Sequence, residues 1–209
     1  MGFNLLKDKI FNKIRSASST VQGAARTPDF SSPIYGIDKS DDLGVSFAEK
    51  FTQTGGTFIY CESIVHFQNA FVKFVKQKKN CTSYSAETLI SEMAGDFGIK
   101  CQSQIDKLSD NNLFISSCES LLADSGSIIV SSNQQQIQSP LYFHANIHII
   151  IAFVDQILLS RNAGIRHLEE KYQKNSPSLV SILTGSKSSS NAEQRPKEVV
   201  LFLIDETDN

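Results

Sequence analysis

The chain lacks tryptophan, and its four cysteines stand singly along the sequence. Zinc sites and iron–sulfur clusters are usually marked by Cys-x-x-Cys pairs, and the sequence contains none. We therefore predict no metal site and no cofactor. At 209 residues the chain can bury an apolar core without disulfide or metal support. We expect the cysteines to be small buried side chains in a reducing compartment; they are Cys61, Cys81, Cys101 and Cys118.

Neither a basic excess nor a long apolar run is present. The 20 lysines and arginines face 22 aspartates and glutamates, so no surplus of positive charge exists to neutralise phosphates, and no nucleic-acid partner is predicted. The apolar run over residues 149–154, which no other run exceeds in length, is far shorter than the roughly 20 residues that span a bilayer. The N-terminus has no apolar signal core and no small-residue cleavage site. We expect a cytoplasmic protein with no membrane partner.

The first forty residues differ in character from the rest. Phe3, Leu6, Ile10 and Ile14 recur at helical spacing with lysines on the other faces, which predicts a basic amphipathic helix. Such a helix most often docks on its own or a sister subunit, and binding to another partner or a membrane surface is the alternative. Residues 16–40 are rich in Ser, Thr, Gly and Pro and predict an arm. The sequence thus predicts a helix and arm over residues 1–40, which leaves a homo-oligomer formed through the arm open, and one domain over residues 41–209.

Helical and extended patterns alternate from residue 41 onward. Asp41 or Asp42 can cap a helix that runs to Gln53, and Gly55-Gly56 can end it in a left-handed turn. The elements that follow are a strand over residues 57–61, a helix over about 63–79, a strand over 81–84 and a helix over about 86–96. This alternation predicts a mostly parallel sheet with right-handed crossovers.

The pattern changes after Leu113. Three short extended runs, 113–118, 121–124 and 127–131, leave no room for crossover helices and predict hairpins or a bent mixed sheet. The most β-branched run, 147–153, predicts a central strand buried on both faces. The remaining predicted elements are a long helix over about 155–174, a strand over 179–183 and a last strand over 198–204.

Residues 123–127 form the first candidate site. Asp124 could orient a hydroxyl or act as an acid or base, and the amides of Ser125, Gly126 and Ser127 could bind an anion. The alternative is an ordinary Asp-Ser-Gly hairpin turn.

The second candidate site follows the strand over residues 179–183. Thr184, Gly185, Ser186, Lys187 and Ser188 combine a glycine, hydroxyls and a cation, which favours an oxyanion cradle; a solvated loop is the alternative. It is not a nucleotide-binding P-loop, because the glycine that must immediately precede the lysine is replaced by Ser186.

Two histidines, His144 and His148, are four residues apart, the spacing of helical zinc pairs. In an extended strand they would lie ~13 Å apart, too far to share one metal. We predict that His148, among isoleucines, is a core histidine.

The order of several motifs resembles the LUD family of lactate-utilization proteins. LADSGSIIV at residues 122–130 is followed by IHIIIA at 147–152 and DQI at 155–157. ILTGSKS at 182–188 occupies the place of the family's later Ser/Thr-Gly loop, with Ser186-Lys187 where Pro-Ser is usual, as in a diverged member. FAEKF at 47–51 with its following glycine pair is similar to the family's early helix and turn.

The resemblance implies an α/β fold of the NagB/RpiA/CoA transferase-like group, a Rossmann-like mostly parallel sheet flanked by helices. It implies a role in oxidising L-lactate to pyruvate beside iron–sulfur partner proteins, with this chain as the partner that has no redox centre. A small carboxylate or phosphate would bind in a crevice at the carboxyl ends of the strands, between the loops that contain Gly126 and Gly185. We expect both loops at one rim of a single sheet.

Two other functions stay open. One is an enzyme of the same fold group acting on a sugar phosphate, CoA ester or folate-type substrate, with Asp124 or Glu119 as acid, base or nucleophile. The other is a non-catalytic interaction protein that uses residues 1–40.

Overall fold

A computed structural model describes residues 42–78, 80–103, 111–135, 145–186 and 196–205. The helix and arm predicted over residues 1–40 lie outside these ranges, as do His144, Lys187 and Ser188.

The first described helix, α1 (Leu43–Gln53), begins and ends as the sequence predicts. The carboxylate of Asp42 accepts a hydrogen bond from the Gly44 amide at 2.8 Å, which satisfies one of the helix's unpaired donors. Gly55 follows in the left-handed region with φ 87°, so the chain reverses directly into the first strand.

A six-stranded sheet forms the centre of the molecule, and every pair of neighbouring strands in it is parallel. The prediction of a mostly parallel α/β sheet is confirmed. Its spatial order is β1-β10-β7-β4-β2-β3. The strands are β1 (Thr57–Cys61), β2 (Thr82–Tyr84), β3 (Cys101–Gln102), β4 (Asn112–Ser117), β7 (Ile147–Phe153) and β10 (Glu198–Ile204).

Four further strands make a second sheet, in the order β8-β5-β6-β9. After β4 the chain leaves the parallel sheet to form β5 and β6, returns at β7, and then adds β8 and β9 to the second sheet before it returns again at β10. β5 and β6 form the predicted antiparallel hairpin. The strands are β5 (Ser120–Leu122), β6 (Ser127–Ser131), β8 (Ile157–Leu158) and β9 (Val180–Leu183).

Apolar side chains fill both faces of the parallel sheet. On one face, α2 (Ile64–Gln77) and α3 (Thr88–Asp96) bury an aromatic cluster in which Phe67 and Phe71 pack edge-on against Phe202 of β10. On the other face, α1 and the second sheet contribute Phe47, Phe51, Leu121 and Ile128 to a separate core. The six-stranded sheet is therefore covered on both sides, as its continuous apolar strands require.

The prediction of a long helix from residue 155 is wrong for the first part of that range. A turn of 3-10 helix (Val154–Gln156) and the short strand β8 come first, and α5 begins only at Arg161. Ile157 and Leu158 pair with Leu121 and Leu122 of β5, so strand pairing takes these residues out of the helix. α5 (Arg161–Tyr172) then starts behind Ser160, whose hydroxyl caps the Ala163 amide at 3.4 Å.

A helical turn, α4 (Ser132–Gln135), follows β6, and Gln134 within it is buried. The four cysteines are free thiols: Cys61 and Cys118 are buried as predicted, and Cys81 and Cys101 are only partly so. In the part of the chain that the structure describes, no helix is both long and apolar enough to cross a membrane.

Candidate functional site

Glu119 lies two residues after the end of β4, where the chain leaves the parallel sheet, and its side chain is fully buried. One carboxylate oxygen accepts hydrogen bonds from the Tyr172 hydroxyl at 2.7 Å and from the Ser131 hydroxyl. The other oxygen pairs with the Lys171 ammonium. A buried carboxylate requires such partners, and Glu119 has three of them.

Lys171 and Tyr172 come from the last turn of α5, so one helix end supplies both the cation and the phenol. Burial, together with the negative charge of Glu119, raises the pKa of Tyr172 well above its usual value. The phenol therefore stays protonated and acts as a donor toward Glu119 at neutral pH.

Glu87 is a second buried carboxylate, which the sequence places inside a helix and does not single out. It stands at the N-cap of α3, just after β2, and its two oxygens both face Ser117 at the end of β4. It accepts the Ser117 amide at 2.7 Å and the Ser117 hydroxyl at 2.6 Å. Its position immediately after a parallel strand is the sequence signal that could have identified it, because ligands of parallel sheets bind at carboxyl ends.

Gln134 joins the surroundings of the two carboxylates. Its amide nitrogen donates to the Ser117 hydroxyl at 2.9 Å, and its amide oxygen accepts the Ser131 amide at 3.2 Å. The result is one connected set of polar groups at the carboxyl end of β4. We call it the carboxylate cluster; its members are Glu87, Ser117, Glu119, Ser131, Gln134, Lys171 and Tyr172.

Gln156 connects the ends of β4 and β7 beside the carboxylate cluster. Its side-chain amide donates to the Cys118 carbonyl at 2.8 Å and accepts the Phe153 amide at 2.8 Å. The ends of β4 and β7 are thereby tied together, which holds Glu119 in place through its neighbour Cys118.

The carboxylate cluster combines two carboxylates, an ammonium group and several neutral hydrogen-bond donors. Such a set can bind a small acid and move a proton, the requirements of general acid–base chemistry. Among the described ranges, no group of three or more His, Cys, Asp or Glu side chains is placed to hold a metal ion.

Asp124 lies apart from Glu119, because the two residues occupy opposite ends of β5. Its side chain is exposed, and its amide donates to the Leu159 carbonyl at 3.0 Å. The Leu122 carbonyl accepts hydrogen bonds from the Gly126 amide at 2.9 Å and from the Ser125 amide at 3.4 Å. These two amides and that of Asp124 are thus engaged within the protein.

The loops at Gly126 and Gly185 do come together. Ile128 of β6 pairs with Leu183 of β9, which sets Ser127 beside Thr184 at the ends of these strands.

Gly126 lies against the C-terminal half of α1, and Gly185 lies against the turn that follows this helix. A Cβ atom on Gly126 would collide with the backbone at Phe51, and one on Gly185 with the backbone at Thr54 and Gly56. The Gly185 amide donates to the Thr54 hydroxyl at 2.9 Å. The close approach of α1 and of the turn after it explains why both positions are glycine; the anion-binding role of the two loops stays a prediction.

His148 is a core histidine, as predicted. Its ring is fully buried on β7, with Nε2 2.8 Å from the Ser116 hydroxyl on β4. Burial lowers the pKa of His148 to about 3, so the ring is neutral at physiological pH.

Comparisons with known proteins agree with this architecture. The chain matches the family model of the LUD domain over residues 98–204, a stretch that contains every member of the carboxylate cluster except Glu87. Its fold is similar to that of a DUF162 family protein from Deinococcus radiodurans, with a TM-score of 0.60 and 15% identity, over 78% of this chain and 96% of that chain.

A ribose 5-phosphate isomerase from Plasmodium falciparum is similar with a TM-score of 0.32 and 12% identity, over 56% of this chain and 52% of that chain. No curated protein matches the chain.

Proposed function

The chain belongs to the LUD domain family, and from this membership we propose that it assists the oxidation of L-lactate to pyruvate in the cytoplasm, together with iron–sulfur partner proteins. The observation that carries the proposal is the domain match itself over residues 98–204. The carboxylate cluster supports it, because a buried carboxylate and a cation lie side by side at the carboxyl end of a central parallel strand.

The chemistry of lactate suits these groups. L-Lactate has a carboxylate and a neighbouring hydroxyl, and its oxidation to pyruvate releases two electrons and two protons. In the proposal Lys171 attracts the substrate carboxylate and Glu119 takes the proton of the substrate hydroxyl. Tyr172 donates a hydrogen bond to Glu119. The two electrons pass to the iron–sulfur partners, and the second proton is released to solvent.

Binding of lactate requires the contact between Lys171 and Glu119 to rearrange. Lys171 pairs with Glu119, so the ammonium must exchange part of this contact for the incoming acid. The helix end that holds Lys171 packs on the second sheet through Leu168 and Tyr172, which contact a small apolar cluster that contains Leu122 and Ile129.

Growth on L-lactate tests the proposal. A deletion strain is expected to grow normally on glucose and to lose growth on L-lactate, and the wild-type chain should restore it. Unimpaired growth of the deletion strain on L-lactate would remove the metabolic role.

Variants locate the site. Glu119→Gln should restore lactate consumption at no more than about a tenth of the wild-type rate, because the proton acceptor is lost. Glu198→Gln, in a half-exposed pair with Lys78, is the matched control and should restore it fully. Ser131→Ala removes one hydrogen-bond donor to Glu119 and retains the charges of Glu119 and Lys171. It is the second variant to measure if Glu119→Gln fails to fold.

Asp124→Asn separates the two candidate sites. Asp124 is exposed in the loop at Gly126, so its substitution leaves the carboxylate cluster intact. If Asp124→Asn abolishes lactate consumption while Glu119→Gln does not, the acid binds at the loops and not at the cluster.

A further inference from the structure

Three large apolar side chains are exposed at the beginning of α1 and in the segments on either side of β8. Leu43 is 36% exposed, Val154 37% and Leu159 63%. We call these three residues the entry patch, because the chain enters the described domain at Asp42, immediately before Leu43.

Contacts beneath the entry patch bring the segments of Leu43 and Leu159 together. The Ala123 carbonyl accepts hydrogen bonds from Ser46 of α1 at 3.1 Å and from Lys50 at 3.2 Å. The Ala123 amide donates to the Leu158 carbonyl of β8 at 2.9 Å. A Cβ atom on Gly44 would lie 3.7 Å from the Ile157 side chain. The first turns of α1, the turn after β5 and both residues of β8 therefore meet at one place.

Acidic side chains accompany the entry patch. Asp42 precedes Leu43, Asp155 follows Val154, and the Asp124 amide is bonded to the Leu159 carbonyl at 3.0 Å. All three of these aspartates are exposed. An apolar surface with such a rim favours a ligand that has an apolar stripe and positive charge.

The chain has such a segment. Phe3, Leu6, Ile10 and Ile14 recur at helical spacing, and the positions between them include Lys7, Lys9 and Lys13. Residues 15–41 connect this segment to the entry patch. Chain-length scaling gives 27 residues a root-mean-square span of about 30 Å, which is sufficient to reach the patch residues from Asp42.

We propose that residues 3–14 dock as an amphipathic helix on the entry patch of their own chain, with the lysines toward Asp42, Asp124 and Asp155. The tether favours the same chain over a second copy, because it holds the segment at an effective concentration of the order of millimolar. Docking covers apolar surface that the domain otherwise exposes. The inference does not depend on the proposed lactate role.

Hydrogen exchange of the full chain, followed by mass spectrometry, tests the docking. Amides of residues 3–14 are expected to exchange at least tenfold more slowly in the wild type than in Leu159→Glu. Val180→Glu is the matched control: Val180 is 44% exposed, and β9 lies at the opposite edge of the second sheet from β8. It should exchange like the wild type. Equal rates in the wild type and in Leu159→Glu overturn the proposal.

Cross-linking distinguishes the own chain from a second copy. A zero-length carbodiimide applied to a mixture of 15N-labelled and unlabelled protein should join Lys7, Lys9 or Lys13 to Asp124 or Asp155 in peptides of a single isotope. Mixed-isotope links in the statistical proportion would show exchange between copies and would refute docking on the same chain.

Discussion

Glu119 and Lys171 form an ion pair whose carboxylate is completely buried and whose lysine side chain is only 10% exposed. The pair joins the end of the central strand β4 to the last turn of α5. A second pair, Lys78 with Glu198 at 2.6 Å, has side chains 28% and 33% exposed. The two pairs have the same chemistry in different surroundings, and their energetic weights should differ accordingly.

Lys171→Met should destabilise the protein by about 3–5 kcal/mol, because it leaves the Glu119 carboxylate buried without its cation. Lys78→Met, which removes the cation of the half-exposed pair, should cost less than about 1 kcal/mol. Urea unfolding of both variants measures the difference. Equal losses of unfolding free energy in the two variants would show that burial of the Glu119 carboxylate does not raise the cost of removing its cation.

Glu87→Ala should destabilise the protein by about 2–3 kcal/mol, because the Ser117 amide and hydroxyl lose a charged acceptor. Glu49→Ala on the exposed face of α1 is the comparison, and should change the unfolding free energy by no more than ~0.5 kcal/mol. Thermal and urea unfolding give both values. A neutral Glu87→Ala would mean that Ser117 finds other partners.

Gly126→Ala and Gly185→Ala should each destabilise the protein by roughly 1–3 kcal/mol, because the added methyl meets the backbone of α1 or of the turn after it. Gly126 also has φ 63°, a conformation that alanine adopts poorly. Gly95→Ala is the control, since nothing lies within 4 Å of its Cβ position on α3, and should stabilise by up to ~1 kcal/mol. Differential scanning calorimetry orders the three variants.

His148 should make the fold sensitive to acid. Its pKa is about 3 in the folded protein and near 6.5 in an unfolded chain, so below pH 6.5 the unfolded state binds the proton and the folded state does not. Stability is therefore retained above pH 6.5 and decreases toward pH 3, by about 1.4 kcal/mol per pH unit.

The comparison of two histidine variants isolates this effect. His148→Gln removes the titrating ring and should flatten the dependence of unfolding free energy on pH between 4 and 6. His66→Gln, on the half-buried side of α2, should keep the wild-type slope. If both variants keep it, other groups account for the acid sensitivity.

Local chemistry made several elements predictable from the sequence. The strand over residues 147–153 and the last strand over 198–204 are confirmed at both ends, because each is a run rich in apolar and β-branched residues. Asp42 and Gly55 likewise mark both ends of α1 through capping and a left-handed turn.

Tertiary contacts decided what the sequence did not predict. Ile157 and Leu158 fit a helical pattern, yet pairing with β5 makes them a strand. Glu87 and Ser117 meet only because β2 and β4 are neighbours in the parallel sheet, a fact that the spacing of the two residues does not contain. Of the carboxylate cluster, only Glu119 is predicted from the sequence, because the partners of this residue come from β6 and α5.

The placement of β10 constrains how the molecule can be made. Thr57 of β1 pairs with Val200 of β10, which in turn pairs with Ile149 of β7. During synthesis on the ribosome β1 emerges early, and its partner is translated more than a hundred residues later. Until then one side of β7 and the partner-facing side of β1 expose unsatisfied strand edges, which attract other chains. A nascent chain of this protein should thus depend on chaperones until its final strand inserts, and a stop codon before residue 198 should yield aggregates instead of a smaller folded domain.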